Sequence, residues 1–172
     1  HRLSWALAAS PTDAITNAAA LANDTLLGDG RGCMAPRALL VQTAITDPER
    51  LAAAFNATFA TVAAALPRGR LPAELPATQR SWVEQARFDA ALAARPFYAS
   101  MSPAFSLVII GGPPPQTLSP ADLGPGGRLL VIRPAPAALT ALTDLCSITS
   151  TVGLTSGTNP AVIASLNAMA VR

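Results

Sequence analysis

Hydrophobic residues recur with two different periods along this chain of 172 residues. Short continuous apolar runs are typical of buried strands. They occupy residues 37–43, 105–110 and 128–133. Longer segments carry apolar residues three and four positions apart, which is the spacing of amphipathic helices. They occupy residues 11–27, 48–66, 78–94 and 135–152. Strands that alternate with helices predict an α/β fold, with a mostly parallel sheet of few strands and helices on both faces.

Residues with special backbone preferences mark where these elements begin and end. Ser10-Pro11-Thr12-Asp13 predicts a helix start, since serine can cap the helix and proline suits its first position. We expect the third helix to turn Trp82, Ala86, Phe88 and Leu92 partly inward. Residues 97–104 are expected to form a linker, and residues 161–172 to supply one or two final strands.

The chain has no internal repeat and no linker good enough to separate two folding units. We therefore expect one compact domain, with residues 1–36 as a helical N-terminal extension and residues 37–172 as the α/β unit.

Composition excludes several classes of protein. Hydrophobic residues make up 51% of the chain and charged residues 13%, which favours a globular chain over a disordered one. All 12 basic residues are arginines scattered along the sequence, so the clustered basic patch of a nucleic-acid-binding protein is missing. No apolar run reaches the roughly 18 residues that a membrane-spanning helix needs.

Candidate catalytic and metal-binding groups are few. The sole histidine is His1, which makes a Ser-His-Asp arrangement unsupported. Cys33 and Cys146 stand far apart and match no zinc-site spacing. We expect both to be reduced, buried thiols rather than a disulfide. The sequence thus predicts no catalytic, metal-binding or cofactor-binding residue, and a chain that is not an enzyme.

One loop is a candidate binding site. Residues 111–115 follow the best predicted strand and consist of Gly111, Gly112, Pro113, Pro114 and Pro115. Open α/β sheets bind ligands at the carboxyl ends of their strands. The segment is therefore predicted to line a partner groove or the remnant of a pocket, and the alternative is a rigid loop without a ligand.

Residues 105–112, a short connection, and then Leu123-Gly-Pro-Gly-Gly-Arg-Leu-Leu-Val131 resemble the fourth and fifth strands of class I SAM-dependent methyltransferases. The resemblance implies a Rossmann-like, methyltransferase-type sheet. The chain departs from that family where SAM would bind. The run at residues 37–43 is followed by Ala44-Ile45-Thr46-Asp47-Pro48, which contains no glycine, and the expected acidic ribose ligand is replaced by a proline-rich stretch.

A methyltransferase-like sheet without a SAM site resembles the N-terminal domain of the anamorsin family of cytosolic iron–sulfur assembly factors. Residues 142–154, with Leu145-Cys146-Ser147 and a terminal Gly153-Leu154, are similar to a helix of that family. The resemblance implies a cytoplasmic, monomeric, non-catalytic scaffold with protein partners, including a diflavin reductase acting through the full-length protein. It places the iron–sulfur clusters in a region beyond Arg172.

Two alternatives stay open at this point. One is a divergent SAM-dependent methyltransferase acting on a small molecule or a protein. The other is a pseudo-methyltransferase module inside a larger synthase.

Overall fold

The computed structural model describes residues 3–70 and 72–170 and contains one six-stranded sheet with helices on both faces. The strands are β1 (Leu3–Ala8), β2 (Ala38–Val41), β3 (Phe97–Met101), β4 (Ser106–Ile110), β5 (Leu129–Pro134) and β6 (Thr149–Leu154). The helices are α1 (Pro11–Thr16), α2 (Ala18–Leu26), α3 (Pro48–Ala65), α4 (Leu75–Leu92), α5 (Thr143–Ile148) and α6 (Pro160–Ala170). Short 3-10 turns lie at Leu27–Gly30, Pro120–Leu123 and Leu139–Leu142.

The sheet has the strand order β3-β4-β5-β2-β1-β6. All neighbouring strands are parallel except β3, which pairs antiparallel with β4 at one edge. The four central strands β4, β5, β2 and β1 are buried along their whole length. A parallel strand covered on both faces has to be apolar throughout. The predicted α/β class with a mostly parallel sheet is therefore confirmed.

Each face of the sheet has its own hydrophobic core. One core lies under α1, α2 and α3, where Phe59 is fully buried between Phe55 and Phe105, with ring centroids 6.0 and 5.4 Å apart. The other core lies under α4, α5 and α6 and centres on Trp5, whose indole N–H donates to Thr149 Oγ1 at 2.8 Å. The helices thus cover the two faces in sequence order, three on each.

Residues 3–8 differ most from the prediction. They were assigned to a helical extension, but they form β1, which lies between β2 and β6 inside the sheet. The run is short, and only its partners on both sides reveal it as a strand. Residues 3–36 are therefore part of the same sheet and helix layers as the rest of the chain.

Both edge strands were also missed. The predicted linker at residues 97–104 contains β3, and the predicted helix at residues 135–152 ends early in α5 and continues as β6. Edge strands are partly exposed, so they tolerate the polar residues that hide them from a hydrophobicity pattern.

Two helix predictions need correction. Final strands were predicted within residues 161–172, but Pro160–Ala170 forms α6. Asn159 Oδ1 accepts from the backbone N–H of Ala161 at 2.9 Å, and Pro160 suits the first helical position. In α4 the side chains of Phe88 and Leu92 point outward and are 63% and 79% exposed. Residues 171 and 172 lie outside the described part of the chain.

Within residues 3–70 and 72–170, none of the helices combines the length and the apolar character that crossing a membrane requires.

Candidate functional site

Cys33 lies on the loop between α2 and β2, at the amino-terminal ends of the parallel strands. Its side chain is exposed and in no disulfide, so the prediction of a buried thiol is wrong for this residue. Cys146 is different, because it is half-buried in α5 and burial raises the pKa of its thiol. The glycines around Cys33 are the sequence signal for an exposed loop.

A tight left-handed turn precedes Cys33. Gly28, Asp29 and Gly30 have φ values of 59°, 60° and 67°, a region that favours glycine and tolerates aspartate. A Cβ added to Gly30 would lie only 2.7 Å from the backbone nitrogen of Arg128. Glycine at this position lets the turn approach the start of β5.

A buried ion pair holds this turn in place. Asp29 Oδ1 lies 2.9 Å from Arg128 Nε, and the two side chains are 7% and 3% exposed. Arg128 Nε makes no aligned hydrogen bond, so the contact is mainly electrostatic. The Asp29 carboxylate also accepts from Gly69 N at 3.1 Å and contacts Arg31 at 3.4 Å. It therefore joins the Cys33 loop to β5 and to the segment before α4.

Ser4, at the start of β1, fixes the other side of the loop. Its hydroxyl donates to the carbonyl oxygen of Cys33, and its own carbonyl accepts from Arg37 N at 2.8 Å. Ala35 N also donates to Gly32 O at 3.1 Å within the loop. The backbone carbonyl of Cys33 is thus hydrogen-bonded to β1, while its side chain is exposed.

A cleft of about 670 Å³ opens beside Cys33. Cys33, Arg31 and Arg37 line it, together with Leu75 from α4 and Gly127 from the turn before β5. Burial lowers the pKa of Arg37, but a guanidinium remains protonated at neutral pH. The cleft thus combines an exposed thiol with two guanidinium groups, of which that of Arg31 also contacts Asp29.

Gln79 of α4 hydrogen-bonds the glycine turn that lines the cleft. Its buried side-chain amide donates to the carbonyl oxygens of Gly126 and Gly127, at 2.6 and 2.9 Å. The Gly126-Gly127 turn, which is part of the methyltransferase resemblance, therefore borders the cleft beside Cys33.

The predicted loop at residues 111–115 lies at the opposite side, at the carboxyl ends of the parallel strands. Gly111 is buried and donates its N–H to Pro96 O at 2.7 Å, and Gly112, at φ 94°, exchanges backbone hydrogen bonds with Ile45. Pro113 is exposed, Pro114 is half-buried, and Pro115 lines a separate cavity. The structure does not bring this loop near Cys33.

The turn after β1 deserves comparison with a nucleotide site, because dinucleotides bind where the first strand of such sheets meets a helix. Here the Asp13 carboxylate occupies the mouth of that turn. It accepts from Ala9 N at 2.9 Å, from Gly157 N at 3.2 Å and from the Thr155 hydroxyl. The backbone donors that would face a phosphate are thus already used by the protein's own carboxylate.

Among residues 3–70 and 72–170, no group of three or more His, Cys, Asp or Glu side chains is placed to hold a metal ion. His1 lies outside these residues.

Comparison with known proteins relates the fold to dehydrogenases. No protein-family model and no curated protein matches the sequence. The structure is similar to that of the Delta-pyrroline-5-carboxylate dehydrogenase from Mycobacterium tuberculosis, with a TM-score of 0.52 and 13% identity over 98% of this chain. It is also similar to an NAD-dependent benzaldehyde dehydrogenase from Corynebacterium glutamicum, with a TM-score of 0.48 and 12% identity over 99% of this chain.

This chain spans 33% and 37% of the length of those two dehydrogenases. At such identities the likeness shows the fold alone, a Rossmann-like sheet of a kind found in dehydrogenases. Nothing in these similarities tests the expectation of a non-catalytic chain, which stays a prediction.

Proposed function

We propose that Cys33 of this chain is a nucleophile that forms a covalent adduct with the carbonyl carbon of a negatively charged substrate. The observation that carries the proposal is the exposed Cys33 beside Arg31 and Arg37 in a large cleft. The structure is similar in fold to a Delta-pyrroline-5-carboxylate dehydrogenase. That enzyme's name includes a carboxylate, which two arginines suit as a charge partner.

The chemistry of this proposal begins with the Cys33 thiolate. Its sulfur attacks the carbonyl carbon of an aldehyde, the C–S bond forms, and the π electrons of the C=O bond move to oxygen, which takes a proton from water. With an acyl thioester, the Cys33 sulfur attacks the acyl carbon instead, and the resulting tetrahedral adduct re-forms its C=O bond and expels the other thiolate, which leaves the acyl group on Cys33. In both cases the arginines of the cleft hold the anionic part of the substrate.

A dinucleotide cofactor is implied by the fold family, but the residues described here do not fit one at the turn after β1. The Asp13 carboxylate fills that turn, and a second anion beside it would be repelled. We therefore derive no step through such a cofactor, and Cys33 acylation is the reaction that this chain can be tested for.

The test uses p-nitrophenyl acetate, which acylates reactive thiols without any cofactor. We expect release of one p-nitrophenol per chain in a burst, and mass spectrometry should find the acetyl group on the peptide that contains Cys33. The Cys33→Ser variant should lose the burst. The matched control is Cys146→Ser, which removes the less accessible thiol with the raised pKa and should keep the burst.

We expect Cys33 to be acetylated faster than an unstructured peptide thiol, because the guanidinium groups of the cleft would stabilise the oxyanion that forms as sulfur attacks the ester. Arg37→Gln should lower that rate. Equal acetylation of Cys33 and a free peptide thiol, together with an unchanged rate in Arg37→Gln, would overturn the proposal.

A non-catalytic scaffold of the anamorsin type stays as a second proposal. The occupied turn at Asp13 supports it, because a chain that cannot seat a nucleotide there suits a binding role. A folded chain without a Cys33 burst and without heat on titration with SAM would favour this scaffold. Saturable SAM binding would instead favour the divergent methyltransferase.

A further inference from the structure

A second cavity of about 420 Å³ lies at the carboxyl ends of β4 and β5, on the face covered by α4. It is within the size range of small-molecule sites. Its walls combine the half-buried ring of Trp82 and the apolar side chains of Ala86, Ala90 and Ile110 with a few polar groups. A mostly apolar cavity with few polar groups, at the end of parallel strands, is where such folds bind ligands.

Arg133 supplies the first unsatisfied polar group. The residue is 8% exposed and lines the cavity. Its Nη1 donates to Asp122 Oδ1 at 2.6 Å, but its buried Nε has no hydrogen-bond partner. A buried guanidinium with a free N–H is costly unless something accepts from it.

Arg95 supplies the second. Its buried Nη1 also has no hydrogen-bond partner, and among the described residues Arg95 makes no salt bridge. Its stem packs over Gly112, where an added Cβ would lie 3.3 Å from Arg95 Cγ. The predicted loop therefore contributes two residues to this cavity. Gly112 leaves space for the Arg95 side chain, and Pro115 lines the wall.

Two carboxylates, Asp122 and Asp89, also line the cavity, but neither hydrogen-bonds Arg133 Nε or Arg95 Nη1. Asp122 takes one nitrogen of Arg133, and burial, which raises its pKa, is outweighed by Arg133 and by two hydrogen bonds from Ser119, so that its pKa is lowered overall. Asp89 is exposed and accepts from Gln85 at 2.9 Å.

We propose that this cavity binds a small aromatic anion, with its carboxylate or phosphate on Arg95 and Arg133 and its ring against Trp82. The site is separate from Cys33, because the cavity lies at the carboxyl ends of the parallel strands and Cys33 lies at their amino-terminal ends.

The experiment titrates the intact chain with benzoate, phenyl phosphate and inorganic phosphate, and follows both tryptophan fluorescence and heat. Saturable binding of benzoate or phenyl phosphate, with a change in Trp82 emission, is the expected result, and the tighter of the two identifies the acidic group. Arg95→Gln should weaken binding about tenfold or more, since a charge-assisted hydrogen bond is lost. Arg87→Gln is the matched control, because Arg87 lies on the exposed face of α4 over the Phe97 ring and should leave affinity unchanged.

Cys33→Ser should bind the probes as the original chain does, which separates this site from the proposed catalytic one. Two results would overturn the proposal. One is no saturable binding of either aromatic anion by the folded chain. The other is equal affinity in Arg95→Gln, which would leave only unspecific ion binding.

Discussion

Asp29→Asn is the most informative single change, because it removes one charge and little else. Asparagine tolerates the left-handed backbone at φ 60°, and its side-chain oxygen can still accept from Gly69 N. What it loses is the charge opposite Arg128, in a pair whose side chains are 7% and 3% exposed.

The size of the effect follows from that burial. Removing one partner of a buried ion pair costs about 3–5 kcal/mol, because the remaining charge is left uncompensated. We expect the lower end, about 3 kcal/mol, because Arg128 Nε is 2.9 Å from Asp29 but makes no aligned hydrogen bond. For a chain of this size, 1 kcal/mol lowers the melting temperature by about 2–4 °C, so a decrease of roughly 6–12 °C is expected.

The assays are thermal unfolding, for the melting temperature, and urea unfolding, for the free energy, both followed by circular dichroism. The control is Asp24→Asn, which removes an exposed carboxylate from α2 and should leave the midpoint unchanged. The double variant Asp29→Asn/Arg128→Met should recover much of the loss, because it leaves no unpaired buried charge. A free energy of unfolding for Asp29→Asn within about 0.5 kcal/mol of the original chain, the range of surface substitutions, would refute this reasoning.

Three further outcomes test the fold around the two sites. Gly30→Ala should lower the stability by at least about 1–2 kcal/mol, because alanine is strained in the left-handed conformation of this residue, and its Cβ would also approach the Arg128 backbone nitrogen. Gly32→Ala, whose Cβ would meet nothing within 4 Å, should be tolerated. Thermal melts of both variants check this expectation. Phe59→Ala should cost about 3–5 kcal/mol in urea unfolding because it empties a core position, whereas Phe88→Ala on the exposed face of α4 should change stability little. Asp122→Asn should destabilise the chain near neutral pH, and this destabilisation should disappear at low pH. The lowered pKa of Asp122 means that its carboxylate stabilises the fold above the ordinary aspartate value of about 4, and this stabilisation disappears as pH falls through the folded-state pKa. The stability difference between the original chain and Asp122→Asn should therefore be constant near neutral pH and shrink on acidification. A difference that grows on acidification would contradict the assignment.

The candidate sites differ in how far the sequence could predict them. The loop at residues 111–115 was singled out because it follows an apolar run, and Pro115 lines a cavity, while the role of the loop stays a prediction. Cys33 was missed because cysteines are buried more often than not. Nothing local to Cys33 shows that Arg37, Leu75 and Gly127 line one cleft with it.

The sequence by itself determined the strands and helices whose residues repeat their environment locally. Strands β2, β4 and β5 are buried on both faces and therefore apolar throughout, and α3 carries a regular apolar stripe. Only the tertiary structure decided which segments join the sheet at β1, β3 and β6, and which charges meet. Leu3 pairs beside Thr149, and Asp29 faces Arg128, across separations that no local period encodes. Such pairings depend on partners distant in the chain, so the edge strands and the Cys33 loop take their positions only once the sheet has formed.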